Sequence, residues 1–80
     1  MDNYHLVLQQ EGHGYRHYLD DREVYPGTML ELQVGTDWVL GRFQWNFDHE
    51  TRPYLVIDAD RDDTISLSEH SILRWPKNQG

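Results

Sequence analysis

MLELQVGTDWVLGRFQWNF, residues 29–47, alternates apolar and polar side chains on both sides of a Gly-Thr-Asp break. In the first half Leu30, Leu32 and Val34 fall on one side and Met29, Glu31 and Gln33 on the other, the period of two expected of a half-buried strand. In the second half Val39, Gly41, Phe43, Trp45 and Phe47 share a face, and Trp38, Leu40, Arg42, Gln44 and Asn46 share the opposite one. The break at Gly35–Asp37 joins the two runs as a hairpin. Gly41 on the apolar face marks a bend or a close backbone approach, as in a tightly curled barrel.

The same rhythm extends outward in both directions. Turn-forming residues recur at Gly12–Gly14, Asp20–Asp21, Pro26–Gly27, Gly35–Asp37, Asn46–Asp48 and Asp60–Asp63, a spacing typical of short strands in all-β domains. HLVLQ (5–9) and YRHYL (15–19) flank QEGHG and read as a first hairpin. PYLVID (53–58) suits a central strand whose start alone tolerates Pro53. TISL (64–67) and ILRW (72–75) complete the set before Pro76. Sustained helical spacing is missing, and SLSEHS (66–71) makes at most one short 3₁₀ turn, with Ser68 as its cap. These runs predict one all-β domain over residues 1–76, followed by a frayed tail at 77–80.

YPGTMLELQVGTDWVLGRFQWN (25–46) is similar to the first half of a small SH3-like barrel: a Pro-Gly turn, an alternating strand, a tight hairpin and a strand that opens on Trp. ISLSEHSILRWP (65–76) resembles that fold's closing pieces. The order of YLDDREVYPG, LELQVGTDWVLGRFQW, RPYLVID and LRWP resembles a small uncharacterised bacterial family, a domain of unknown function, over roughly residues 13 to 76. The resemblance implies a five- to six-stranded barrel and supplies no catalytic residues. SH3-like barrels present aromatic grooves or open edges to partners, and here Trp38 with Tyr18, Tyr25 and Tyr54 would line such a groove beside an acidic rim. The commoner role of such rings is to cover the end of a small barrel.

Composition narrows the partner. An 80-residue chain makes one domain with little core to spare. It has no cysteine, hence no disulfide and no thiolate metal site, which suits a reducing compartment such as the cytoplasm. The opening MDNYHLVLQQ lacks a basic n-region and a long apolar run, so a signal peptide is not expected, and no window is apolar enough for a membrane span. Fourteen acids against seven bases give a net charge of −7. Six scattered arginines and one lysine form no basic patch, so direct nucleic-acid binding is not expected. A partner protein with a basic surface fits better.

DADRDDTISLSE, residues 58–69, has nearly the ligand spacing of a calcium loop. Asp58, Asp60 and Asp62 would give side-chain oxygens, Thr64 a carbonyl, Ser66 a water-mediated contact and Glu69 a bidentate carboxylate. Asp63 stands where that loop needs glycine, and the flanks read as strands rather than helices. The alternative is a β-hairpin with an acidic turn, YLVID–ADRDDT–ISLSE, binding no physiological ion; no other cofactor is expected. His13 and His17, four residues apart, would share a metal on a helix but not on a strand, and lone histidines here are expected at the surface. No nucleophile elbow, phosphate loop or converging carboxylate pair is present, so no enzyme is expected.

Three functions remain. The first is a non-catalytic protein-interaction module acting through aromatics near Trp38. The second is an acidic inhibitor that imitates nucleic acid, in the manner of anti-CRISPR proteins from mobile elements, with Asp48, Glu50, Asp58, Asp60, Asp62 and Asp63 as its charged face. The third is a weak calcium-binding domain.

Overall fold

A computed structural model describes residues 4–77. Its elements are β1 (Val7–Glu11), β2 (Gly14–Leu19), β3 (Arg22–Val24), β4 (Met29–Val34), β5 (Asp37–Gln44), β6 (Tyr54–Asp58), β7 (Asp63–Ser66) and β8 (Leu73–Arg74), with a single 3₁₀ turn at Ala59–Arg61. The chain is all-β among the described residues. It has eight strands rather than five or six, in two antiparallel sheets ordered β1-β2-β3 and β7-β6-β5-β4-β8. The 3₁₀ turn also lies earlier than SLSEHS; at that site Ser71 N–H donates to the Ser68 carbonyl in a simple turn. Of the expected tail, Lys77 is exposed and residues 78–80 lie outside the described residues.

Tight turns set each register. Glu11 pairs with Gly14 across Gly12–His13, where only Gly12 has positive φ, at 58°; this is the glycine-first form of a two-residue hairpin. Leu19 pairs with Arg22 across Asp20 and Asp21, whose φ values are 53° and 64°. Two consecutive left-handed residues match the twist of the flanking strands, and Asp tolerates that region better than most side chains. Val34 pairs with Asp37 across Gly35–Thr36. Asp58 faces Asp63 over the 3₁₀ turn, with Asp62 left-handed at 55°.

The two sheets face one another over a shared core. Leu19 and Val24 come from the three-stranded sheet; Leu30, Leu32, Phe43, Leu55 and Leu73 come from the five-stranded sheet, joined by Trp45 and Leu67 just beyond strand ends. The alternation expected of residues 29–45 holds for Leu30, Leu32, Phe43 and Trp45 and fails at both tips. Val34, the last residue of β4 before the hairpin turn, is exposed, and Phe47 is exposed beyond the end of β5 at Gln44, where φ turns to 66°. Gly41 is a close approach: an added Cβ would stand 2.8 Å from Ile57 Cδ1 and 3.0 Å from Leu55 Cβ. Trp75 closes one flank, since its indole N–H donates to the Leu19 carbonyl at 2.8 Å and Arg22 stacks 4.0 Å above its ring. Just before β1 the Tyr4 carbonyl accepts the Leu73 N–H at 2.7 Å, and beyond that link β1 pairs with no strand other than β2 among the described residues.

Candidate functional site

Every residue of β1 is exposed, Val7 to 50% and Leu8 to 42%. As a strand with polar positions among short apolar ones, VLQQE pairs with β2 over five residues without a bulge, and no strand pairs along its other edge among the described residues. Leu8 is opposite His17 in the ladder, so both side chains point to the inner face of the sheet. Beside them a cleft of about 660 Å³ opens between the sheets, lined by Leu6, Leu8, His17, Arg52, Leu67 and His70 among others. Pro53 and Leu67 belong to the facing sheet's margin, where Leu67 N–H donates to the Pro53 carbonyl at 2.9 Å. Leu6, Leu8, Pro53 and Leu67 thus make the apolar part of the cleft's lining.

His17 lines the cleft from β2. Only 7% of it is exposed. Its ring stands edge-on to Trp45 at 4.2 Å and to Phe43 at 5.6 Å, and its Nδ1 is buried with no hydrogen-bond partner among the described residues. Burial among these rings disfavours the charged form and pushes its pKa down to about 4. Near neutral pH the floor of the cleft is therefore an uncharged imidazole. The opposite wall is the loop after β5, held by local hydrogen bonds: Trp45 Nε1 donates to the Thr51 carbonyl, Thr51 hydroxyl to Asn46 Oδ1, and Glu50 N–H to Asp48 Oδ1. That loop stacks His49 on Tyr15 at 4.5 Å and brings Arg52 to the cleft. Among the described residues Arg52 has no ion-pair partner, whereas Glu69, a carboxylate that also lines the cleft, is 3.6 Å from His70.

The aromatic candidates do not converge on one groove. Tyr18 and Tyr25 meet on the outer face of the three-stranded sheet, each donating its hydroxyl to Glu23, and Tyr18 donates also to Glu11. Those carboxylate neighbours raise the Tyr18 pKa to about 12 and also raise that of Tyr25; the tyrosine bond and Arg16 lower that of Glu23. Trp38 lies on the other sheet, under Arg74 at 4.0 Å and 6.4 Å from Tyr4, with Arg74 bonded to Glu31 at 2.7 Å. Tyr54 is opposite Gln44, six residues along β5 from Trp38, roughly 20 Å of strand.

The acidic candidates also divide. Asp48 and Glu50 precede β6, Asp58 ends it, and Asp60, Asp62 and Asp63 follow, so roughly 15 Å of strand separates the two groups. They do not form one charged face. The calcium candidates are spread along the β6–β7 hairpin and beyond it. Asp58 uses Oδ1 to accept the Asp60 N–H at 3.1 Å and lies 3.8 Å from Arg61. Thr64 and Ser66 run along β7, which carries the chain away from the turn, and Glu69 ends on the cleft wall. The six oxygen donors are not gathered, and among the described residues no group of three or more His, Cys, Asp or Glu side chains could hold a metal ion. Strands rather than helices flank the turn, as the hairpin alternative expected.

Sequence reasoning overlooked Leu8, Arg52 and the inward face of His17. The signal for His17 was present: Tyr15, His17 and Leu19 alternate with Arg16 and Tyr18 along GYRHYL. Compared with known proteins, the chain matches no protein-family model, no curated protein and no solved structure. Among the described residues no helix is long and apolar enough to cross a membrane.

Proposed function

We propose that this chain is a non-catalytic protein-interaction module that holds a segment of a partner protein in the mouth between its two sheets. The observation that carries the reading is the pairing of an apolar strip in the cleft with an exposed edge strand: Leu6, Leu67 and Pro53 line the cleft together with Leu8 of β1, whose five residues are all exposed. Clefts that set apolar side chains beside fixed polar groups, as this one sets Leu6, Leu8, Pro53 and Leu67 beside His17 and Arg52, are where proteins take ligands. A non-catalytic role fits the hydroxyls nearby, which hold turns: Thr51 bonds Asn46, and Ser68 Oγ accepts the His70 N–H at 3.1 Å. The site moves from Trp38, whose ring is already engaged by Arg74, to Leu8.

We also read the two sheets as a small SH3-like barrel left open at β1, similar to the bacterial domain family of unknown function. The short β8, which returns to pair with β4, supports that reading. A cysteine-free composition fits a reducing compartment such as the cytoplasm.

Selection from a phage-displayed library of random twelve-residue peptides tests the function. Peptides should be enriched on the wild-type chain, lose binding to Leu8→Asp and keep it on Trp38→Ala. Absence of enrichment, or enrichment indifferent to Leu8→Asp, overturns the proposal.

A further inference from the structure

We infer that the occupant enters as an added β-strand on β1, with an apolar side chain turned into the cleft and one carboxylate set against Arg52. The inference rests on the mouth being a protein-binding site and adds the chemistry of the partner.

Hydrogen-bond parity supplies the first part. In a two-residue hairpin the closing pair exchanges both backbone bonds, and paired residues then alternate between bonded and non-bonded positions. Glu11–Gly14 closes the β1–β2 hairpin, so Gln9–Arg16 and Val7–Tyr18 are bonded pairs, and Leu8–His17 and Gln10–Tyr15 are not. The N–H and C=O groups of Leu8 and Gln10 therefore point away from β2, along the open edge of the sheet. Proteins ordinarily blunt such an edge with lysine, proline or a bulge. VLQQE contains neither residue, and its register is unbroken. An added strand would lie about 4.8 Å from β1, and its inward side chains, two residues apart, would follow Leu8 toward Leu67 and Pro53.

Charge supplies the second part. Arg52 lines the cleft without an ion-pair partner among the described residues, and a guanidinium recognises carboxylate through paired hydrogen bonds. The net charge of −7 repels a run of acids. A single carboxylate among apolar and neutral residues answers both facts.

The test uses resynthesised peptides from the phage selection, titrated into the 80-residue chain. Backbone N-methylation at every second peptide position should weaken binding about tenfold or more, and at the intervening positions by less than about twofold, because only alternate amides face β1. Gln10→Pro removes an outward N–H without breaking a bond to β2; it should stay folded and bind at least about tenfold more weakly. Arg52→Gln should weaken acidic peptides and leave their Asn or Gln analogues unchanged, a coupling read as a double-mutant cycle. Uniform sensitivity to N-methylation, with Leu8→Asp still abolishing binding, overturns strand addition and leaves the mouth as the site. Equal effects of Arg52→Gln on acidic and amide peptides overturn the carboxylate assignment. A peptide-free dimer abolished by Gln10→Pro in sedimentation assigns the edge to a second copy and overturns the proposal. Lack of any Leu8-sensitive peptide overturns the mouth itself.

Discussion

Replacing His17 by leucine should flatten the dependence of stability on acid. In the fold the imidazole is buried against Trp45 and Phe43, and its pKa lies near 4 instead of 6.5. A histidine with a depressed folded pKa is neutral in the native state and takes up a proton on unfolding. Its contribution is therefore fully present above about pH 6.5 and lost progressively as pH falls toward 4. A sealed ring with that shift would be worth roughly 3 kcal/mol. The cleft admits water to one side of His17, so about half of that, roughly 1.5 kcal/mol, is expected. The assay is urea unfolding followed by tryptophan fluorescence at about pH 7.5 and about pH 4. Groups common to both chains, Glu23 included, cancel in the comparison. Wild type should lose roughly 1.5 kcal/mol more than His17→Leu over that interval. Equal losses within about 0.3 kcal/mol would refute a buried neutral histidine.

Three further outcomes follow from the backbone. Gly41→Ala should destabilise the domain by about 1–3 kcal/mol in urea, because the new methyl meets Ile57 and Leu55 inside van der Waals distance; an unchanged midpoint would show that the strands can part. Asp21→Gly should stabilise by about 0.5 kcal/mol, since its φ of 64° suits glycine, and a lower melting temperature would contradict the turn assignment. Millimolar Ca²⁺ should leave the melting temperature unchanged, because Glu69 and the Asp58–Asp62 turn lie at different ends of the hairpin; saturation of a true site at a hundredfold over Kd would add about 2.7 kcal/mol.

Much of the fold is legible in local pattern because short strands and tight turns are local devices. The alternation of Leu30 with Leu32 and of Phe43 with Trp45, the glycine at 41 and the glycine-first turn at 12 each state their structure within a few residues. Strand count was harder, since REV at 22–24 is too short to show a period, whereas the last strand was read at 72–75 and lies at 73–74. Chain direction beyond strand ends was harder still, which is why Val34 and Phe47 were assigned inward. The site was scarcely legible at all. It is made by what two sheets fail to cover, and Leu8, His17, Arg52 and Leu67 come from four distant segments joined only by tertiary packing. Conspicuous letters pulled the other way: Trp38 is engaged by Arg74, and the acids of 58–63 form a turn.

Amide hydrogen exchange along β1 tests the open edge most directly. In the free chain Leu8 and Gln10 should exchange much faster than Gln9 and Glu11, whose N–H groups bond to β2. Saturation with a selected peptide should then protect Leu8 and Gln10. Protection of those two amides in the free chain, or their continued fast exchange in the saturated complex, would contradict strand addition at β1.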